Sequence, residues 1–165
     1  MLKNSPFCSV FLQKREKETG SMKTLYMETT RKEPEETSSE IEVKLKSYDL
    51  SKYMKDYKDG EVVGCIFSIR IRDKEVPIKL PIRWEPLLDK ANRGETKYIK
   101  PGDRDQAKRV AWRQILRWIE SQLALVDLEM VDIAEVFLAY IMVDKKRTLY
   151  QHLVENDMKL IGAET

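Results

Sequence analysis

Residues 50–83 read LSKYMKDYKDGEVVGCIFSIRIRDKEVPIKLPIR, and their pattern decides the fold. From Cys65 to Arg72 apolar residues alternate with polar ones, apart from Ile66, which is typical of a β-strand with one buried face. The dipeptide Asp59-Gly60 separates this strand from residues 53–57, and glycine supplies the positive φ that a tight hairpin turn requires. The pattern therefore predicts two antiparallel strands joined by a hairpin.

A third strand is expected after a turn at residues 73–75. Apolar residues occupy alternate positions from 76 to 82, and Pro77 and Pro81 lie between them. Proline has no amide hydrogen for the ladder, so two prolines place this strand at a sheet edge. The result is a three-stranded antiparallel meander with one apolar and one basic face. The residues expected to pack against a helix are Phe67, Ile69, Ile78 and Leu80.

A long helix is predicted from about residue 104 to about residue 126. Asp103 is a suitable N-cap, and the apolar residues, including Trp112 and Trp118, cluster on one side at 100° per residue. We interpret the two tryptophans as core anchors. The opposite side carries Arg109, Arg113 and Arg117. This stripe is interpreted either as a cationic surface or as a row of ion pairs along the helix.

Shorter helical patterns complete the fold class. Residues 37–40, TSSE, match a reciprocal capping box, and Thr148 begins a second one. Further helices are expected after Pro86 and within residues 131–143. The predicted class is α+β, a three-stranded antiparallel β-meander packed against a bundle of about four to five helices.

Domain organisation follows from length and periodicity. A chain of 165 residues fits one domain, which we place at residues 37–160 with a tail at 161–165. Residues 1–36 lack a sustained period, and GSM at 20–22 resembles a junction, so this part is expected to be a flexible leader or an artefact of the start site or of cloning. The longest mostly apolar run, 133–143, is too short to span a bilayer.

The charge balance is near neutral overall but uneven along the chain. The formal net charge is +2, and residues 1–60, 61–117 and 118–165 carry +1, +6 and −5. Hydrophobic residues make up 42% and charged residues 35%, so a packed core with a highly solvated surface is expected and the disordered and membrane classes are excluded.

No catalytic, metal or nucleotide motif is apparent. The single histidine, His152, and the two cysteines, Cys8 and Cys65, form no ligand set or disulfide framework, and a reducing cytoplasm fits. An Mg²⁺ site at the densest acidic group is disfavoured, since these acids straddle a predicted helix start, where carboxylates favour the dipole. The group is Asp127, Glu129, Asp132 and Glu135. We expect no enzyme, no metal and no cofactor.

The basic sheet face is the candidate functional surface. Basic residues projecting from paired strands, with tyrosines on the neighbouring strand, form the combination that tracks phosphates and stacks bases. The alternative is an ordinary solvated face with charges that prevent edge aggregation. The candidate nucleic-acid-binding residues are Arg70, Arg72, Lys79, Arg83, Tyr53 and Tyr57.

Several short motifs outside the sheet complete a recognisable signature. They include RVAWR at 109–113, QLAL at 122–125, EVFL at 135–138 and TLY at 148–150, together with GEV at 60–62 and IFSI at 66–69. With these motifs the segment from Thr37 to about Leu160 resembles a family of small proteins common in bacteriophages, prophages and viral metagenomes. The resemblance implies a mobile-element context in the cytoplasm of an infected or lysogenic host cell, and no established activity.

Two functional hypotheses follow. The first is a non-enzymatic accessory protein of a phage or mobile element that binds nucleic acid through the basic sheet face. The second is an adaptor or inhibitor that binds a host or phage protein without nucleic-acid contact, using the acidic C-terminal third or the same sheet face. A membrane partner is not expected, and the oligomeric state stays open.

Overall fold

The computed structural model describes residues 24–158 of this protein. Within that range three antiparallel strands, five α-helices and one 3₁₀ turn follow one another, which confirms the predicted α+β class. The elements are α1 (Pro34–Leu45), β1 (Leu50–Lys58), β2 (Glu61–Ile71), β3 (Lys74–Lys79), α2 (Glu85–Asn92), α3 (Arg104–Asp127), α4 (Ile133–Phe137), the 3₁₀ turn (Leu138–Tyr140) and α5 (Leu149–Glu155).

The sheet has the strand order β1-β2-β3. Lys58 pairs with Glu61 across the predicted hairpin turn, where Asp59 and Gly60 have φ angles of 53° and 81°. Positive φ at both central residues is what a type I′ turn requires, and this turn matches the twist of the flanking strands. β3 lies at a sheet edge, as predicted from Pro77, but it ends at Lys79, so Pro81 lies beyond the strand.

The main core lies between the sheet and α3. Phe67, Ile69 and Ile78 are completely buried and Leu80 is 3% exposed, in one cluster with Trp112 and other residues of α3. The predicted burial of this face is confirmed, and Ile41 and Leu45 of α1 are completely buried in the same cluster. Phe137 of α4 closes the cluster, with its ring edge-on to Phe67 at 5.3 Å between centroids and edge-on to Trp118 at 5.7 Å.

A second apolar cluster joins the chain before α1 to α2 and α3. Leu25 packs against a group that includes Ala91, Ile99 and Val110. Residues 25–30 form two turn hydrogen bonds of their own, from Glu28 N–H to the Leu25 carbonyl and from Thr30 N–H to the Met27 carbonyl. The segment before α1 is therefore packed onto the fold.

A buried carboxylate fixes this segment. Glu28 is 1% exposed and accepts hydrogen bonds from the backbone N–H groups of Leu25, Tyr98 and Ile99 at 2.8, 2.7 and 3.2 Å. Burial raises the pKa of the Glu28 carboxyl, but these backbone donors outweigh burial and bring it below 4.5. Gln106 of α3 donates to the carbonyls of residues 28 and 30.

The prediction that a helix starts at Thr37 is wrong, and the domain boundary placed there falls inside α1. The helix begins at Pro34, whose missing N–H suits a first helical position, and the Glu33 N–H donates to Glu36 at 3.2 Å. Thr37 and Ser38 are buried inside the helix and do not cap it. The boundary at 37 therefore cuts α1 and removes the Glu28 contacts. The part of the leader at 1–23 and the tail at 161–165 lie outside the described residues.

The helix predicted within residues 131–143 is shorter than expected. It ends at Phe137 and passes through the 3₁₀ turn into an extended segment. There Ile141 pairs with Ile78, and the Met142 N–H donates to the Pro77 carbonyl at 2.9 Å. The exposed edge of β3 has backbone carbonyls without a strand partner. Residues 141 and 142 pair with this edge in an extended conformation, so the helix cannot continue through them.

The other predicted helix starts are confirmed. Asp103 accepts from the Gln106 N–H at 3.0 Å, and Thr148 and Gln151 form a capping box at α5. Between residues 24 and 158, no helix is both long and apolar enough to cross a membrane.

Candidate nucleic-acid interface

Strand register assigns each sheet residue to one of two faces. Phe67 and Ile69 point into the core, so Ile66, Ser68 and Arg70 lie on the opposite side. Their partners in the neighbouring strands share that side. We call this side the outer face, and it consists of Lys52, Met54, Asp56, Gly64, Ile66, Ser68, Arg70, Glu75, Pro77 and Lys79.

Five basic residues lie on or next to the β2–β3 hairpin. We call them the hairpin cations. All five are exposed, and none forms a salt bridge within the part of the chain that the structure describes. With Asp73 and Glu75 they give residues 70–83 a net charge of +3. They are Arg70 and Lys79 on the outer face, Arg72 and Lys74 at the hairpin turn, and Arg83 beyond β3.

One ion pair crosses the outer face. The Lys52 ammonium of β1 contacts the Glu75 carboxylate of β3 at 2.6 Å, so the lysine chain passes over β2. The hydrogen bond from Lys52 lowers the pKa of the Glu75 carboxyl. Ser68 lies in register with Lys52 and is only 8% exposed although it belongs to the solvent side. The middle of the face is therefore electrically neutral.

The two predicted tyrosines are on the other side of the sheet. Tyr53 is in register with Phe67, and its hydroxyl donates to the Ser38 carbonyl at 2.9 Å. Burial, above all, raises the pKa of this phenol. Tyr57 is in register with Val62 and donates to the Glu35 carboxylate at 3.1 Å. The two rings therefore do not share a face with Arg70 and Lys79, and their stacking on bases stays a prediction.

The arginine stripe of α3 is a row of ion pairs. Arg109 contacts Glu33 at 2.8 Å and Arg113 contacts Glu40 at 2.6 Å, which joins α3 to α1 and its N-cap. Arg117 contacts Glu120 of its own helix at 2.6 Å. Arg113 is 7% exposed, so much of this stripe is an interface inside the fold. The second interpretation of the stripe is the one that its geometry favours.

The β2–β3 turn departs from the residue types that its shape prefers. Arg72 and Asp73 have φ angles of 47° and 64°, where the β1–β2 turn uses Asp59-Gly60. A side chain in the left-handed region costs about 1–2 kcal/mol per residue, and the cost is smaller for Asp and Asn. Strain of this kind is found preferentially at functional positions. Arg72 thus lies at the hairpin turn in a backbone conformation that its residue type disfavours.

Most of the acidic group singled out in the sequence is used in hydrogen bonds of the fold. Asp127 accepts from the Tyr48 hydroxyl at 2.8 Å, and Asp132 and Glu135 cap α4. In residues 24–158 no group of three or more His, Cys, Asp or Glu side chains could hold a metal ion. Cys65 is 2% exposed, and burial raises the pKa of its thiol to about 12, so the thiolate nucleophile is suppressed.

The groove between α1 and the first turn of α3 has internally paired charges. Its volume is about 430 Å³. Glu35 contacts Lys55 at 2.5 Å, Glu33 contacts Arg109, and Lys108 pairs with Glu61. These pairs leave few charged groups to recognise a ligand.

Sequence reasoning missed Lys52 and Lys74 as residues of this surface. The hairpin turn gave a local signal for the side on which Tyr57 lies. A two-residue turn at Asp59-Gly60 pairs residue 58 with residue 61, which places Tyr57 on the face of Val62. The same counting assigns Lys52 to the outer face only if the register irregularity between Asp56 and Tyr57, one of two in the β1–β2 pairing, is known. Those irregularities are set by packing and have no clear signature in the sequence.

No protein-family model, curated protein or solved structure matches this chain. The resemblance to phage and prophage proteins therefore stays an expectation.

Proposed function

We propose that this protein is a small non-enzymatic accessory protein that binds nucleic acid through the hairpin cations. The observation that carries the proposal is the contrast between two sets of basic side chains. Arginines of α3 form salt bridges with carboxylates, whereas the hairpin cations form none among residues 24–158, although Arg70 is opposite Glu75 in register. Phosphates are anions that such a surface attracts, and releasing their counterions drives binding.

The rigidity of the hairpin supports the proposal. Ile71 packs against the main core and Ile78 is fully buried, so the strands that carry the cations are held in place. When basic side chains contact the phosphate backbone of a nucleic acid, they orient the protein on it without reading the base sequence. Binding is therefore expected to be sequence-independent. A phage or mobile-element setting rests on the sequence resemblance alone.

Salt-dependent binding tests the proposal. The wild type and the variant Arg70→Glu/Arg72→Glu are titrated against labelled single-stranded DNA, duplex DNA and RNA between about 50 and 200 mM salt. The variant is expected to bind at least about tenfold more weakly. Its plot of log affinity against log salt should be shallower by about two units, the contribution of two phosphate contacts.

A charge-matched control separates this surface from net charge. Lys100→Glu/Arg104→Glu makes the same change in charge at two exposed residues by the start of α3, the helix that packs on the opposite face of the sheet. It should keep most of the affinity. Equal loss in both variants would show non-specific attraction, and absence of binding by the wild type at low salt would end the proposal.

The second candidate, a protein-binding adaptor or inhibitor of a host factor, is favoured by one observation. Leu128 and Met130, in the turn after α3, are 69% and 67% exposed, and the segment 128–158 carries six acidic and three basic residues. Exposed apolar groups beside acids are typical of a docking surface. A partner captured after nuclease treatment and lost with Leu128→Ser/Met130→Ser would support this function.

A further inference from the structure

We infer that the ligand of the hairpin cations is duplex DNA, held by its two phosphate rows across the major groove. The inference rests on the proposed function and names its substrate class. It starts from the spacing of the cations, which fall into two groups. The turn group is Arg70, Arg72 and Lys74, and the far group is Lys79 of the outer face together with Arg83, which follows in the chain beyond the end of β3.

The register gives the separation of the two groups. Arg70 is opposite Glu75, and Lys79 is opposite Ile66, four residues away along β2. At about 3.3 Å per residue, the backbone positions of Arg70 and Lys79 are separated by about 13 Å along the strands. The major groove of B-DNA is about 12 Å wide. One group can therefore contact each of the two backbones that border the groove.

The surface between the two groups of cations does not attract a phosphate. The Lys52–Glu75 ion pair reaches from the middle row, where Lys52 is in register with Ser68 and Pro77, to the row of Arg70. A single strand laid continuously along the face would bring its phosphates to the Glu75 carboxylate. Because Glu75 is opposite Arg70, one phosphate row is expected beyond it, at Arg72 and Lys74, and the other at Lys79.

The outer face also lacks what a single strand needs. Single-strand surfaces stack bases on aromatic rings, which is worth about 1–3 kcal/mol per base. Of the ten residues of this face, none is aromatic, and Tyr53 and Tyr57 belong to the inner side. The exposed apolar group is Met54, 56% exposed, in the row of Ile66 and Lys79. These contacts favour a duplex, whose bases stay stacked on each other.

The test compares ligands of equal length with the full chain. A duplex of about 20 base pairs, each of its strands alone, and an RNA duplex of the same sequence are titrated at several salt concentrations. Duplex DNA is expected to bind at least about tenfold more tightly than either strand. Equal or tighter binding of a single strand, or tighter binding of the RNA duplex with its narrow major groove, would overturn the inference.

A second duplex tests the two rows directly. One DNA strand is made with neutral methylphosphonate linkages, which removes one phosphate row and keeps the base pairs. The salt slope is expected to fall by about half. An unchanged slope would show that a single row is contacted.

Two matched variants test whether each group of cations contacts phosphates. Arg72→Gln/Lys74→Gln and Lys79→Gln/Arg83→Gln each remove two positive charges, and each should lower the slope on the unmodified duplex by about two units. A change in only one of them contradicts the two-row geometry. If no nucleic acid binds at all, the proposed function itself fails, a result distinct from preference for the wrong strand type.

Discussion

The two faces of the sheet are built from alternate residues of the same three strands, yet they are chemically opposite. On the inner side, Phe67 and Ile78 are completely buried, and the polar groups at the margin have partners in α1. On the outer side, Arg70 and Lys79 are exposed without a salt bridge in the described chain. Inner substitutions should therefore change stability, whereas outer substitutions should change binding.

The largest expected effect is on the inner face. Phe67→Ala removes a fully buried ring that also contacts Phe137, and it should lower the free energy of unfolding by about 3–5 kcal/mol. Urea denaturation followed by circular dichroism measures the change. Phe67→Leu, which retains most of the volume, should lose clearly less. A loss below about 1 kcal/mol for the alanine variant would mean that this face is not core.

A smaller effect is expected at the inner margin. Tyr53→Phe keeps the ring but removes the hydroxyl bonded to the Ser38 carbonyl, and it should destabilise the protein by about 1 kcal/mol. Tyr57→Phe is the control, because that side chain is 54% exposed, and it should change stability by less than about 0.5 kcal/mol. If the two variants behave alike, the Tyr53 hydroxyl is not a structural link between β1 and α1.

The Glu35 carboxylate makes the stability of the protein depend on pH in the acid range. The hydrogen bond from Lys55, and then that from Tyr57, lowers the pKa of Glu35 below its ordinary 4.5. The unfolded chain then binds more protons than the folded chain, so this stabilisation is complete above about pH 4.5 and is lost as pH falls through the folded pKa.

The variant Glu35→Gln measures that contribution. Because the Glu35 side chain is 51% exposed, solvent screens the pair, and the difference from wild type should stay below about 1 kcal/mol at neutral pH. It should shrink further at about pH 3, measured as urea midpoints of both proteins. A difference that grows on acidification would contradict the direction of the Glu35 shift.

The smallest effect is expected on the outer face. Lys79→Glu places a negative charge opposite Ile66, where no charged residue is its direct partner in register, and should change the unfolding free energy by less than about 0.5 kcal/mol. The same variant should weaken duplex binding measurably. A large loss of stability would erase the distinction between the two faces.

The sequence by itself determined the meander, its hairpin and its buried face. The turn residues and the two-residue alternation are local signals, and Pro77 removes a ladder donor wherever β3 is placed. The capping residues Asp103 and Thr148 likewise act within one helical turn. These features depend on neighbours a few residues apart, so the printed sequence is sufficient to predict them.

Only the tertiary structure decided which polar groups are paired. Glu28 is buried because Tyr98 and Ile99, about 70 residues later, bring backbone donors to it. The partners of Arg109 and Arg113 come from the segment that begins at Glu33, and the face of Tyr53 depends on the β1–β2 register. The charge or the aromatic ring of a residue does not show whether its side chain is free on the surface or paired inside the fold. Pairing depends on which distant segments of the chain meet when it folds.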